Sequence, residues 1–468
     1  MAKNVLIFSD GTGQAGGLMP DETRSNVYKL FRATRCGPDS SIDPLQQLSF
    51  YDPGLGSKAG GAQIKFRFWR SIYNWLSAAT GLGITRNIID CYAAIIQMWS
   101  PGDRIYLFGF SRGAYTVRCL GGVLGLCGVP THMSEGTPLK RDPASAKAIA
   151  SVAVKNVYQF GSSVKNDPLK AQREDLARVF RSKYGSAQGD HSNAVPYFIG
   201  VWDTVSTLGM GWRGLIPLAA LVFAAAAAFV KFVVPLVGLA PRHLSWAASA
   251  GIVFGLVAIA YTGASLYYRR PLSLAKFRMA FYDTKLNRRV AFARHALSID
   301  ENRKDFARVL WDEDGAEREP VVPGGPERFV QMWFAGCHSD IGGSYSENES
   351  RLSDITLKWM ADQARSLPSP ILVDETYMRP SPSSAGPQHD ERKKAIANMP
   401  SWFRKGALLF ISEKALGWPE GSRDIPHDAP LHPTVIERFE LPSILAYDET
   451  IPYRPGALKN HDEVRDLY

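Results

Sequence analysis

Short continuous apolar runs alternate with longer stretches of helical period along most of the chain. Lys3–Ser9 (KNVLIFS) reads as a strand that stops at the turn Asp10-Gly11-Thr12-Gly13. Ile84–Trp99 has helical periodicity and ends at Ser100-Pro101-Gly102-Asp103, a stop signal. Arg104–Phe110 (RIYLFGF) reads as a buried strand and Arg112–Leu126 as the helix packed behind it. Residues 141–189 are helical and polar, Val195–Trp202 and Arg328–Ala335 are further apolar strands, and Leu352–Arg365 is an amphipathic helix. Residues 366–430, rich in Pro, Ser and charge, read as irregular. Apolar strands separated by helices predict an α/β fold: a mostly parallel sheet with helices on both faces.

Two apolar runs are too long for that sheet. Gly214–Ala240 carries one charge, Lys231, and Leu244–Tyr268 carries none. A helix of about 20 apolar residues crosses a bilayer core. The pair, joined by Pro241-Arg242-His243, therefore predicts an inserted two-helix transmembrane hairpin over 213–268. It divides the α/β core into 1–212 and 269–365, with 366–468 as an irregular C-terminal region packed on the core.

Composition changes one part of this picture. The 468 residues carry a net +9 and a mean hydropathy of −0.14, which looks soluble and generally basic. Yet residues 269–294 hold eight basic side chains against one acid, a net +7 directly after the second apolar run. The charge is thus a juxtamembrane patch suited to orientation and anionic head groups rather than a nucleic-acid surface. By the positive-inside rule it places the body of the protein on the cytoplasmic side of a bacterial-type inner membrane. Cys36, Cys91, Cys119, Cys127 and Cys337 form no CxxC pair, which argues against a disulfide framework or zinc site. The N-terminus runs straight into a strand without the apolar core of a signal peptide.

The chemistry starts at Gly109-Phe110-Ser111-Arg112-Gly113. This G-x-S-x-G lies between a strand and a helix, the context of a nucleophile elbow, where small residues must flank the serine on both sides. Ser111 needs a base, and the base an orienting acid, in the chain order Ser, Asp or Glu, His. Asp203 ends the Val195–Trp202 strand and His338 follows the Arg328–Ala335 strand, so Ser111, Asp203 and His338 fit. His295 is the rival base, in a segment that follows a basic polar stretch, and Asp340 and Asp354 are rival acids. The oxyanion hole takes one N–H from Arg112 and a second from the Gly11–Thr12 turn. That turn lacks the GxxxxGK of a P-loop, and Phe8 stands where a haloacid-dehalogenase-type phosphatase would need an acid.

Several longer stretches carry a resemblance: FSDGTG (8–13) with Asn26-Val27, GDRIYLFGFSRGAYTVR (102–118), GVWDTVSTLG (200–209), RHALSIDENRKDF (294–306) and MWFAGCHSDIGGSY (332–345). Together they resemble the family of α/β hydrolases long labelled a domain of unknown function, which includes type VI secretion phospholipase effectors, the Tle-like lipases. The resemblance implies a Ser-Asp-His triad at Ser111, Asp203 and His338 and ester hydrolysis on glycerophospholipids or related lipids. The opening loop departs from it, reading DGTGQ where relatives tend to have Asn or Trp-Asn after DGT. The combined expectation is a membrane-attached serine hydrolase, a phospholipase or lipase, with no metal or cofactor. Its partners are a bilayer and a phospholipid-like ester, and not nucleic acid. The alternatives are an inactive membrane scaffold, or a secreted type VI antibacterial lipase effector with an immunity protein as partner.

Overall fold

The computed structural model describes residues 2–11, 23–54, 83–160, 169–205, 286–304, 306, 309–311, 324–398 and 420–468, with scattered positions from 223 to 255. The chain forms two compact units, residues 1–207 with 280–468 and residues 208–279.

The larger unit is built on a six-stranded sheet. Its strands are β1 (Asn4–Ser9), β2 (Gln47–Asp52), β3 (Arg104–Phe110), β4 (Pro196–Trp202), β5 (Phe292–Ser298) and β6 (Phe329–Phe334). They lie in the order β2-β1-β3-β4-β5-β6, and every pair is parallel. The chain moves outward from β1 to β2, then crosses back to place β3 on the other side of β1. The strand order therefore reverses between β1 and β3, and open α/β sheets bind ligands at the C-terminal ends beside such a reversal.

Burial on both faces explains why the strands read as continuous apolar runs: every residue of β1 and β5 is buried. On one face, Leu6, Phe8, Tyr106, Phe108, Phe198 and Trp202 pack against α1 (Asn26–Thr34) and, across the chain, against Leu352, Leu357 and Met360 of the helix Arg351–Arg365. Phe8 and Phe108 stack at 4.9 Å across neighbouring strands. The other face is covered by α2 (Ile84–Met98) and α3 (Arg112–Cys127), which touch β1 and β3. Beyond these lie α4 (Pro143–Val152) and α5 (Lys170–Tyr184), the helical part of 141–189.

Two strands are not visible in the apolar pattern. β2 (QLSFYD) is half polar and forms the sheet edge. β5 (FARHALS) carries Arg294 and His295 in its centre, so it does not look like a strand interior. Both side chains are nonetheless buried because the fold pairs them. Arg294 donates to Gln363 Oε1 and to the carbonyls of Ala293 and Arg328. His295 meets Gln331 and the Thr204 backbone. On sequence the His295 segment only follows a basic polar stretch, and no strand is predicted there; the structure places β5 in it.

The C-terminal region is irregular over much of its described length, but it contributes to a second apolar cluster. After α6 (His338–Gly342), α7 (Arg351–Arg365) and α8 (Glu391–Ala397), the helix α9 (Pro433–Glu440) brings Val435 and Phe439 against Leu297, Ile299 and Trp333. A two-stranded antiparallel ribbon, Ile444–Ala446 with Glu449–Ile451, follows.

Most of the two long apolar runs, Gly214–Ala240 and Leu244–Tyr268, lies outside the described residues. Among the described residues no helix is long and apolar enough to cross a membrane. Within the smaller unit, residues 246–255 are helical. Ser249 and Val253 are buried there, whereas Trp246, Ile252 and Phe254 are exposed.

Candidate active site

The serine sits on strained backbone. Ser111, between β3 and α3, has φ 57° and ψ −119°, a conformation that L-residues rarely adopt. Its N–H donates to the Trp202 carbonyl at 3.1 Å, which ties the turn to the end of β4. The flanking glycines are required by contact. A Cβ at Gly109 would lie 2.5 Å from the Gly113 carbonyl oxygen, and one at Gly113 would lie 1.9 Å from the Ser9 carbonyl oxygen. The elbow is therefore closed against the end of β1 by backbone-to-backbone contact, and α3 presents its first turn to the serine. A helix N-terminus stabilises negative charge there. Arg112, the first residue of α3, is buried, and burial lowers its guanidinium to about 10.

Gly11 reaches the same place from β1. A Cβ there would lie 2.9 Å from the Phe110 ring and 3.5 Å from Ser111 Cβ. Its N–H, however, donates to Asp10 Oδ1 at 2.7 Å. The other oxygen of Asp10 accepts from Ser25 Oγ and Tyr51 Oη, both at 2.6 Å. Asp10 thus fixes the departure of the chain from β1. Thr12 lies outside the described residues.

Asp203 and His338 come together across the sheet. His338 Nδ1 and Asp203 Oδ2 are 2.6 Å apart, and Asp203 is wholly buried. Asp203 also has positive φ, 34°, so both this acid and the serine sit on unusual backbone at strand ends. Its N–H donates to the Ala296 carbonyl at 2.8 Å, and its Oδ1 accepts from the Ser298 N–H at 3.2 Å. Burial pushes the Asp203 carboxyl up, but the Arg423 guanidinium and His338 outweigh it and hold it at about 2. His338 Nε2 is buried and, among the described residues, accepts or donates no hydrogen bond, to Ser111 included. Catalytic contacts are often open before substrate arrives. The Phe110 ring lies 4.6 Å from the imidazole, so His338 packs on the residue that precedes the serine.

The rivals are accounted for elsewhere. Buried His295 accepts from the Thr204 N–H at 3.3 Å through Nε2. Burial first, and then Arg118, lower it to about 3, which keeps it neutral as a support for the chain just after Asp203. Asp340 accepts from the Cys337 N–H and pairs with His389 at 2.7 Å, while Asp354 pairs with Lys29 at 3.2 Å. Neither faces His338 in a hydrogen bond.

Four supporting residues, Glu301, Arg303, Arg423 and Asn26, were missed by sequence reasoning. The His338 N–H donates to Glu301 Oε2 at 3.2 Å. Arg303 grips Glu301 through two hydrogen bonds of 2.7 and 2.8 Å. Arg303 in turn covers the Phe306 ring at 3.6 Å, and that ring meets His338 at 5.5 Å. Burial works against the Glu301 charge, but Arg303 holds its carboxyl below the usual range. The signal lay in the HALSIDENR stretch, whose charged residues are unusual directly after a buried strand. Arg423, which donates to Asp203 Oδ2 at 2.8 Å, had no local signal. Asn26 has a similar role at longer range: its amide donates to the Ile341 and Ser353 carbonyls and to Thr356, clamping α6 and α7 to α1. Among the described residues no group of three or more His, Cys, Asp or Glu side chains is placed to hold a metal ion.

A family model described as "T6SS, Phospholipase effector Tle1-like, catalytic domain" matches residues 3–363. The chain belongs to this Tle1-like family. The matched residues correspond to that family's catalytic domain. Sequence similarity also links it to an uncharacterized protein of Saccharomyces cerevisiae, 34% identical over 130 residues, 27% of this chain and 18% of that protein. Among solved structures it is similar to an uncharacterized protein from Pseudomonas aeruginosa, at 16% identity and a TM-score of 0.34, over 87% of this chain and 51% of the other. It is also similar to a Tle1 effector solved bound to the VgrG spike of a type VI secretion system, at 15% identity and a TM-score of 0.29, over 75% and 53%. The chain thus spans about half the length of those two structures.

Proposed function

We propose that this Tle1-like protein is a serine phospholipase that cleaves acyl esters of membrane lipids through Ser111, His338 and Asp203. The observation that carries the reading is a strained serine between two obligatory glycines, with a buried Asp–His pair beside it. Ser111 Oγ attacks the acyl carbonyl as His338 Nε2 takes its proton. The tetrahedral intermediate collapses as His338 returns that proton to the leaving alcohol, and the acyl group remains on Ser111. Water then repeats the sequence and releases the fatty acid. Asp203, ionised and buried, holds the imidazole through Nδ1 and leaves Nε2 for the serine. The Arg112 N–H supplies one oxyanion donor. With the Gly11 N–H engaged by Asp10, Thr12 is the remaining sequence candidate for the second.

Family membership favours delivery as a type VI effector, with an immunity protein as partner, over residence in the inner membrane. The apolar runs over 214–268 then serve as the contact with the target bilayer. The exposed Phe232, Trp246, Ile252 and Phe254 support that use. Contiguous exposed apolar surface marks interaction sites, and aromatic residues favour the bilayer interface.

The test is hydrolysis of defined phospholipid liposomes by wild type and Ser111→Ala, with the products identified by mass, alongside fluorophosphonate labelling. Wild type should release fatty acid and label at Ser111, and the variant should do neither while still binding liposomes. Full hydrolysis by Ser111→Ala would overturn the mechanism.

A further inference from the structure

The segment 420–432 lies beyond the residues matched to the catalytic domain, yet it runs through the acid side of the site. Its course is fixed by backbone contacts. Glu420 bridges Arg303, and the Gly421 N–H donates to the Asn302 carbonyl at 2.8 Å. Ten residues on, the Trp333 N–H donates to the Pro430 carbonyl and the His432 N–H to the Trp333 carbonyl, so the segment lies along the edge of β6. Between these anchors it places Arg423 against Asp203.

Arg423 is an unusual buried arginine. It is 6% exposed, and Nη2 donates to Asp203 Oδ2 at 2.8 Å. That oxygen also faces His338 Nδ1. Among the described residues, Nε and Nη1 are buried without a hydrogen-bond partner. Arg303, by contrast, grips Glu301 through both Nε and Nη2. A buried charge this poorly satisfied is costly unless its field is used. Among the described residues its one hydrogen-bonded partner is the acid of the proposed triad.

We propose that Arg423 is a positioning residue that sets the proton affinity of the Asp203–His338 pair, so that the C-terminal segment completes the catalytic acid. The proposal rests on the triad reading above. Asp203 sits in a dry core, where a lone carboxylate is disfavoured. Arg423 keeps it charged and anchors Oδ2 where the imidazole needs it. The same positive charge opposes protonation of the pair as a whole, leaving the base free at lower pH. Among the described residues the other charged or titratable groups facing the pair are Glu301 and Arg303 after β5, His295 on β5, and Arg118 on α3, which faces His295. Glu301 and Arg303 offset one another, and neutral His295 adds no charge. Arg423 is therefore the cation that acts directly on Asp203.

The test is the pH profile of kcat/KM on a soluble acyl ester for the full-length wild type, Arg423→Met, Arg423→Gln and Arg423→Lys. The coupled pair titrates as a unit, and removing the cation raises its affinity for a proton whichever member holds it. The acidic limb should move up by about one pH unit in Met and Gln, with lowered kcat and little change in KM. It should stay near wild type in Lys. A folded Met or Gln variant with the wild-type limb, or a Lys variant that behaves as Met does, overturns the proposal. If Met does not fold, Gln decides, because it removes the charge while keeping a donor. Fluorophosphonate labelling of wild type separates the two levels. Normal labelling with an unmoved limb removes the Arg423 role alone, whereas absent labelling removes the triad and with it this proposal.

Discussion

The two halves of the proposed site are held by different physics. The nucleophile half consists of the ends of β1 and β3, Gly11, the elbow and the start of α3. It is fixed by main-chain contact, with Gly113 closed on the Ser9 carbonyl and Gly109 on Gly113. The acid–base half is fixed by side chains that arrive from far along the chain: Asp203 from β4, Glu301 and Arg303 after β5, His338 after β6 and Arg423 from the C-terminal segment. Main-chain closure tolerates no added atom, so the first half is rigid and its sequence is locally constrained. Side-chain networks tolerate isosteric change at the cost of chemistry, so the second half can be tuned without loss of fold.

Substitutions on each half should separate these behaviours. The largest effect is expected from Ser111→Ala: a loss of about 10^6-fold in kcat with a melting temperature close to wild type, read by liposome hydrolysis and calorimetry. Next is Asp203→Asn, which keeps the shape but loses the charge and presents a donor to Nδ1; kcat should fall about 10^4-fold. Gly113→Ala should act on the fold rather than on the chemistry alone. Its methyl group meets the Ser9 carbonyl, and destabilisation of about 3 kcal/mol or more is expected in urea unfolding. Unchanged stability there would remove the main-chain closure on which the comparison depends. Glu301→Gln leaves an acceptor for the His338 N–H but removes the partner charge of Arg303. A loss of about tenfold in kcat/KM is expected, with stability lowered by about 1–3 kcal/mol.

A separate prediction concerns pH. Asp52, at the end of β2, accepts from Ser9 Oγ, and its backbone carbonyl accepts from the Asp10 N–H. Burial pushes its carboxyl up to about 8. The folded state therefore holds a proton that the unfolded state releases near pH 4. The associated stability is fully present below about pH 4 and is lost as pH rises through about 8. Asp52→Asn should flatten the decline in melting temperature between pH 5 and 8. An unchanged decline would show that Asp52 is not the group responsible.

The division between the halves also explains what could be read early. The elbow was legible because a tight turn between strand and helix demands glycines two residues either side of the serine. Asp203 and His338 were legible because both follow apolar runs that could only be buried strands. β5 was not, because Arg294 and His295 look unfit for a strand interior until Gln363 and Gln331 are seen to satisfy them. The oxyanion turn was only partly legible. The spacing brings Gly11 to Ser111, but it does not reveal that Asp10 claims the Gly11 N–H.

The sequence by itself determined the alternation of strand and helix, the serine and its glycines, and the order of the three proposed catalytic residues, because each follows from local steric demands or from continuous apolar burial. Only the tertiary structure decided which acid meets His338, that His295 is a neutral support, and that Arg423 reaches Asp203 from 220 residues away. Such pairings depend on strand order and on the path of a segment with no regular structure. A buried charge takes whichever partner the fold brings within hydrogen-bond reach, and that reach is not written in the spacing of residues along the chain.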